Sequence, residues 1–396
     1  MIVGPLSDHA FFWKRMYESH QDQVFLVSFE PDFLEIRSRF KSDSLKMSFY
    51  QQINRIKRLS KMEALKFLCL RPWLFFIGLY KTHGRDVIHY IAYKYYAKQL
   101  RYLINKFHPD IIHSHYISST GFIVKETGFH PFITSIWGSD LYFGIKKINK
   151  TRWLKEYIQE VALIHALTER QKEYLVQYGV PPEKIFSANW GVNIDSIVPS
   201  KDQVQSIRFK FGIKENQKVI LCPRRLDDMF NIRMLFDIAI ATVQQNSDLV
   251  FIFGSYGPYK NELQQLVKQR NLSDQIIIPG YLPDDEFNAL FGLADLYLQT
   301  PNSDGVAITL MQAMVNRLPI LTTNVGDTSA NIHDGITGLF IQPDLNEIKE
   351  KIGYLLSNPE VREQLGENAY DWALKHCNSE KNFQLLHEKL QNLVMN

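Results

Sequence analysis

Residues 300–341 read TPNSDGVAITLMQAMVNRLPILTTNVGDTSANIHDGITGLFI, and three changes of pattern inside them decide the fold. Thr300 to Gly305 is a run of turn formers. From Val306 the apolar residues recur at helical spacing, and Pro319 to Thr323 is a short β-branched run ending in Asn324-Val325-Gly326-Asp327. Loop, helix and strand in that order form the repeating unit of a parallel sheet covered by helices. A helix that starts near Val306 turns its unpaired N–H groups and the positive end of its dipole toward the preceding loop, where Gly305 allows a close backbone approach. The loop is therefore a candidate anion site.

Outward from this stretch the same alternation continues, and the class is α/β. Strand candidates in the first half are Val24 to Phe29, Asp110 to Ser114, Phe132 to Ile136, Leu163 to Leu167 and Lys184 to Ala188. The second half offers Lys218 to Cys222, Leu249 to Phe253, Gln275 to Ile278, Asp295 to Gln299, Pro319 to Thr323 and Gly338 to Ile341. Each half holds enough strands for its own sheet, and 396 residues are long for one core. The turn-rich stretch from Gly191 through Pro199 and Ser200 reads as the interdomain linker, which places one domain at 1–195 and another at 203–376. Residues 377–396, with Phe383, Leu385, Leu386, Leu390, Leu393 and Val394 at helical spacing, read as a helix packing back toward the first domain.

In open α/β sheets ligands bind beyond the carboxyl ends of the strands, and with two sheets the expected site is the cleft between lobes. The loops that matter then carry Gly4, His113 to Tyr116, Trp137 to Asp140, Arg224-Arg225, Gly254 to Gly257 and Pro301 to Gly305. Gly254-Ser255-Tyr256-Gly257 reads either as a plain turn or as a point of phosphate approach. His113 and His115 lack a third ligand at metal spacing and the chain has no D-x-D, so a metal is not expected. Asp227-Asp228 and Asp284-Asp285 read as a loop and a helix N-terminus.

Several of these pieces resemble the donor-binding signature of retaining glycosyltransferases of family 4. They are Ser303-Asp304-Gly305, Gln312-Ala313-Met314 to Pro319, Val325-Gly326-Asp327 and Asp334-Gly335-Ile336-Thr337-Gly338-Leu339. The resemblance extends to Trp137-Gly138-Ser139-Asp140, Ala188 to Asn193, Arg225-Leu226 and Gly280-Tyr281-Leu282. It implies a GT-B fold of two Rossmann-like domains, an amino-terminal one for the acceptor and a carboxyl-terminal one for a nucleotide sugar, UDP-linked by expectation. Arg225, Asp304 and Asp140 are the implied catalytic residues. Arg225 would stabilise the departing diphosphate, Asp304 would accept hydrogen bonds from the transferred sugar, and Asp140 is the candidate base if a protein base exists. Donor contacts are expected from Gly4, Arg224, Asn231, Gly254, Tyr281, Ser303, Gly305, Val306, Thr309 and Gln312.

Three positions depart from the family pattern. Gln312 replaces the second acid of the pair with a neutral amide, Phe230-Asn231 stands where a phosphate-binding Lys is usual, and Trp137 replaces a His. His115 and Trp137 are read as cleft or acceptor residues, with a hydrogen-bonded structural role as the alternative for His115 and core packing for Trp137. No cofactor is expected.

Net charge is +3, but residues 1–200 stand at +9 and 201–396 at −6. The excess concentrates between 51 and 106, where twelve Lys and Arg face Glu63 and Asp86 among many aromatics. Basic and aromatic residues together suit an anionic bilayer surface; a solvated basic helix pair is the alternative. The run Trp73 to Tyr80 is too short to cross a bilayer, and the three cysteines form no C-x-x-C pair. The expected setting is cytoplasmic, peripheral at the inner membrane face, with a lipid-linked or cell-surface saccharide as acceptor and no nucleic-acid partner. A soluble or protein acceptor, or a silent nucleotide-sugar binder, are the other readings.

Overall fold

The computed structural model describes residues 1–3, 15–27, 85–138, 140–145 and 152–395. They form two compact units: Met1–His165 with Tyr178–Lys184 and Leu390–Asn396, and Ala166–Gln177 with Ile185–Lys389.

The first sheet runs in the order β2-β1-β3-β4-β5-β6, with β1 at Ile2–Val3, β2 at Leu26–Val27, β3 at Ile112–His115, β4 at Phe132–Ser135, β5 at Leu163–Ala166 and β6 at Ile185–Ser187. β1 pairs in parallel with β2 and β3, β3 with β4, and β4 with β5. β3, β4 and β5 are buried at every residue, as expected of strands covered on both faces. α1, Arg85–Phe107, precedes β3. It buries Ala97 and Leu100, and leaves Tyr95 and Tyr102 more than half exposed.

The second sheet has the order β12-β11-β10-β7-β8-β9. Its strands are β7 Lys218–Leu221, β8 Leu249–Ile252, β9 Ile276–Ile277, β10 Leu296–Gln299, β11 Ile320–Thr323 and β12 Leu339–Ile341. All its pairings are parallel. Every strand candidate of the sequence coincides with one of these eleven later strands, apart from the residues of the first that lie outside the described part.

Because β7 sits between β8 and β10, the connections leave it in opposite directions. The topological switch point of this sheet therefore lies between β7 and β10, where the loops diverge and leave room for a ligand. On its faces pack α2 Ile232–Val243, α3 Lys260–Gln269, α4 Asp284–Leu293 and α5 Ile308–Val315. α6 Leu345–Ser357, α7 Pro359–His376 and α8 Ser379–Met395 complete the chain.

The stretch read as the interdomain linker holds short helical structure of its own. Asn193 accepts a hydrogen bond from the Ser196 N–H and starts a helical turn at Ile194–Ile197. Ser200 and Gln203 then form a capping box on the helix Lys201–Lys210. Asn and Ser serve as turn formers and as helix caps with the same oxygen, so the sequence pattern was ambiguous.

Candidate donor site and its relatives

Two loops build the site in the second unit. The chain leaves β7 through Cys222 and Pro223 and presents Arg224 and Arg225; it leaves β10 through Thr300 and Pro301 and presents Asp304 in front of α5. The loops are tied together. The Asn302 N–H donates to the Met229 carbonyl at 2.8 Å, and its side chain donates to the Asp228 carbonyl at 2.9 Å. Gly257 comes against the backbone of Leu226, leaving no space for a Cβ, while the Leu226 N–H donates to the Tyr256 carbonyl. That close approach holds the arginine loop from the β8 side.

Arg224 is the enclosed arginine. Its Nη2 lies 3.0 Å from Asp304 Oδ2 and 3.1 Å from Oδ1, with both side chains about nine-tenths buried. Its guanidinium carbon sits 4.2 Å from the Phe230 ring centre. Nη1 reaches Thr309 Oγ1 at 3.4 Å. Behind it, Tyr297 Oη is 3.0 Å from Thr309 Oγ1 and donates to Gln299 Oε1 at 2.8 Å, and Gln299 Nε2 donates to Thr322 Oγ1 at 3.0 Å. This buried polar chain is satisfied link by link, so it fixes the guanidinium rather than straining it. Burial raises the Asp304 pKa above the ordinary carboxylate value, while Arg224 and the Gly305 N–H pull it back.

Arg225 points elsewhere. It is half exposed, pairs with Asp227 at 3.0 Å, and lies 6.0 Å from the Tyr256 ring. Both arginines hold a carboxylate, but the Arg225 pair is open to solvent and screened, whereas the Arg224 pair is enclosed.

The helix behind the loop begins at Ile308, two residues later than read from the sequence. Its N-cap Ala307 makes no side-chain cap and its first turn holds no acid, so its amino end favours an anion. Gly326 (φ 55°) packs on the Asp304 backbone with no room for a Cβ, and the Asp327 N–H donates to the Asp304 carbonyl at 3.2 Å. The loop after β11 thus clamps the loop after β10.

Other expected donor residues are spread around this centre. Gln312 is buried and its amide donates to Asn288 Oδ1 at 3.0 Å. Asn231 takes the left-handed conformation (φ 51°) that starts α2. Gly254 packs against Leu290 and Leu221, so its missing side chain serves the core. Val306 packs on the apolar core, Ser303 is exposed, and Tyr281 is 77% exposed. Gly4 and Cys69 lie outside the described residues.

Sequence reasoning did not single out Tyr297, Gln299, or Phe230 as a stacking partner. Alternation along β10 puts Tyr297 and Gln299 on one face, a polar pair on an otherwise apolar strand, and that was the signal available. Asp327 entered the sequence reading only within Val325-Gly326-Asp327. Its buried carboxylate accepts from Gln171 Nε2 at 2.8 Å and Thr168 Oγ1 at 3.3 Å within the same unit.

In the first unit the strand ends gather a second cluster. His115 stacks on His113 at 4.6 Å and lies 5.7 Å from Trp137; Trp137 stacks on Tyr116 at 5.6 Å. Tyr116 carries φ 71° where β3 passes into a π turn, Tyr116–Gly121. Asp140 is buried, and its two oxygens accept from the Trp137 N–H at 2.8 Å and the Ile117 N–H at 2.9 Å. Burial pushes its pKa up to about 6 against the pull of those N–H groups. The carboxylate expected as a base thus joins the loop after β3 to the loop after β4. Among the described residues no group of three or more His, Cys, Asp or Glu is placed to hold a metal, and no helix is long and apolar enough to cross a membrane.

Residues 203–372 match the family model of glycosyl transferases group 1, and residues 79–168 match glycosyl transferase 4-like. The chain is similar to an alpha-D-kanosaminyltransferase of Streptomyces kanamyceticus, 21% identical over 55% of this chain and 57% of that protein. It is similar to an alpha-monoglucosyldiacylglycerol synthase of Acholeplasma laidlawii, 25% identical over 45% of this chain and 46% of the other. The matches span about half the length of these two relatives. An N-acetyl-alpha-D-glucosaminyl L-malate synthase of Bacillus anthracis is 23% identical over 69% of this chain and 72% of its own. Among solved structures, HepE of Anabaena in complex with UDP superposes with a TM-score of 0.66 at 15% identity, covering 99% of this chain and 92% of that one. A glycosyltransferase from Rickettsia africae superposes with 0.69 at 15% identity, covering 100% and 98%. The chain therefore matches the group 1 glycosyltransferase model over residues 203–372 and the glycosyl transferase 4-like model over 79–168, on two parallel-sheet α/β units of the GT-B class.

Proposed function

We propose that this protein is a retaining, metal-independent glycosyltransferase that moves a hexose-type sugar from a UDP-linked donor to a lipid-linked or cell-surface saccharide. The observation that carries the proposal is Arg224, held against Asp304 and Thr309 at the uncapped amino end of α5, with Arg225 half exposed beside it at the β7–β10 switch point. A nucleotide sugar is a diphosphate between two hydroxyl-bearing groups, and this site offers cations and backbone N–H groups in the middle with Asp304 beside them. Residues 203–376 would hold the donor and 1–195 the acceptor. In the reaction the bond from the anomeric carbon to the phosphate oxygen breaks and a bond to the acceptor oxygen forms on the same face of the sugar. The acceptor proton passes to the departing phosphate. Arg225 and the helix end stabilise the charge that develops on it, a role that a metal otherwise fills.

The relative named above as an alpha-monoglucosyldiacylglycerol synthase and the solved complex with UDP support this choice of acceptor and donor. So does the described part of the basic segment: α1 exposes Lys94, Lys98 and Lys106 beside Tyr95 and Tyr102, a combination suited to the inner face of an anionic membrane. Residues 51–84 of that segment lie outside the described residues.

Transfer and donor hydrolysis measured over a panel of nucleotide sugars, in the natural chain and in Arg225→Ala, test the reading. Turnover with one donor, lost in the variant, is the expected result. Absence of turnover with every donor, together with undiminished nucleotide binding in the variant, marks a silent binder instead.

A further inference from the structure

The charges of the proposed donor site oppose one another. One cation, Arg224, has two claimants: the Asp304 carboxylate at 3.0 Å and any diphosphate drawn to the amino end of α5. The guanidinium is held in plane by the Phe230 face at 4.2 Å and by Thr309 at 3.4 Å, so a small rotation decides which anion it serves. With both side chains about nine-tenths buried, neither charge is relieved by water.

The two forms of the ligand then meet different conditions. A bare nucleoside diphosphate that takes Arg224 leaves Asp304 ionised, enclosed and next to further negative charge. A sugar-linked diphosphate brings hydroxyl donors at the same moment, and these replace what Asp304 gives up. Resting on the donor-site reading above, we propose that Asp304 is a specificity-determining residue: by competing for Arg224 it makes the site prefer the intact nucleotide sugar over the nucleoside diphosphate left after transfer. Asp304 acts on the bare diphosphate as a rival anion and on the sugar as an acceptor. Once the sugar has left, the carboxylate recaptures Arg224 and the hold on the product weakens. The position usually occupied by a phosphate-binding Lys is Phe230, whose ring stacks on the guanidinium instead of adding a charge of its own, so Arg224 is the cation on which this exchange turns.

Calorimetric titration with UDP, GDP, UDP-glucose and GDP-mannose tests this in the full chain, in Asp304→Asn and in Arg224→Gln/Asp304→Asn. The natural chain is expected to bind one sugar-linked compound more tightly than its bare diphosphate. Asp304→Asn is expected to bind that bare diphosphate on the order of tenfold more tightly than the natural chain and to lose the preference. The double variant buries no unpaired charge, so it keeps the comparison open if the single variant does not fold; it is expected to bind the bare diphosphate no better than the natural chain. A natural chain that binds the bare diphosphate as tightly as the sugar-linked form, or an Asp304→Asn chain with unchanged diphosphate affinity, overturns the competition alone. Failure of all four compounds to bind the natural chain overturns the donor-site reading with it.

Discussion

Arg224 and Asp304, 80 residues apart in the chain, meet at 3.0–3.1 Å beneath the switch point of the second sheet. Arg225, one residue further on, turns to solvent and to Asp227. Adjacent residues of one type thus have different physical tasks.

Alanine substitution should separate those tasks. Arg224→Ala leaves the Asp304 carboxylate enclosed without its cation, which costs about 3–5 kcal/mol and is expected to lower the melting temperature of the chain markedly. Arg225→Ala removes a half-exposed side chain, with a stability change within about 0.5 kcal/mol. Its turnover is expected to fall by roughly 10²- to 10³-fold. Thermal unfolding and initial rates on both variants check the contrast; equal melting temperatures would contradict the burial argument.

Glycine substitutions should rank by contact rather than by backbone angle alone. Gly326 (φ 55°) and Gly335 (φ 72°) share the left-handed region, but a Cβ at Gly326 collides with the Asp304 backbone while one at Gly335 meets nothing within 4 Å. Gly335→Ala should cost about 1–2 kcal/mol from backbone strain. Gly326→Ala should cost more than about 4 kcal/mol and disrupt nucleotide binding, because the β11 loop must lift off the Asp304 loop. Denaturant unfolding of the two variants gives the comparison directly.

Asp140 should leave a signature in the pH dependence of stability. Burial raises its pKa from the ordinary 3.8 to about 6, so the folded state binds the proton more tightly than the unfolded state. The contribution is therefore fully present below about pH 4 and is lost as pH rises through about 6, amounting to roughly 2–3 kcal/mol. Asp140→Asn cannot titrate, and the difference in unfolding free energy between variant and natural chain should change across that window and be flat outside it. A difference independent of pH between 4 and 7 would show that the carboxylate is not held as described.

Charge on α1 should govern binding to anionic vesicles. Lys98→Gln and Lys106→Gln act on exposed side chains, and each lost cation is expected to weaken binding by about 1 kcal/mol, roughly fivefold. Co-sedimentation with vesicles of anionic phospholipid at low and high salt reads this out. No binding of the natural chain at low salt removes the membrane proposal.

Chelation should leave transfer untouched, since the proposed stabilisation of the leaving phosphate comes from Arg225 and the end of α5. Initial rates with and without EDTA check this, and a loss of activity restored by a divalent cation would assign that charge to a metal.

What the sequence determined by itself was the class, the two sheets and the loops that matter. Strands such as Lys218–Leu221 and Leu249–Ile252 are apolar runs that only a doubly covered parallel sheet can bury, and the turn residues at 300–305 and 324–327 follow strands at the ends where ligands bind. Only the tertiary structure decided which arginine is enclosed, because Pro223 breaks the strand alternation just before the pair and periodicity no longer assigns a face. It alone brought Phe230 onto Arg224, through a 3₁₀ turn at Asp228–Phe230 capped by Asp227, and it alone showed both oxygens of Asp140 taken by backbone N–H groups. Local pattern reports which side chains must leave water; which polar groups then meet depends on loops that close over strand ends far apart in the chain.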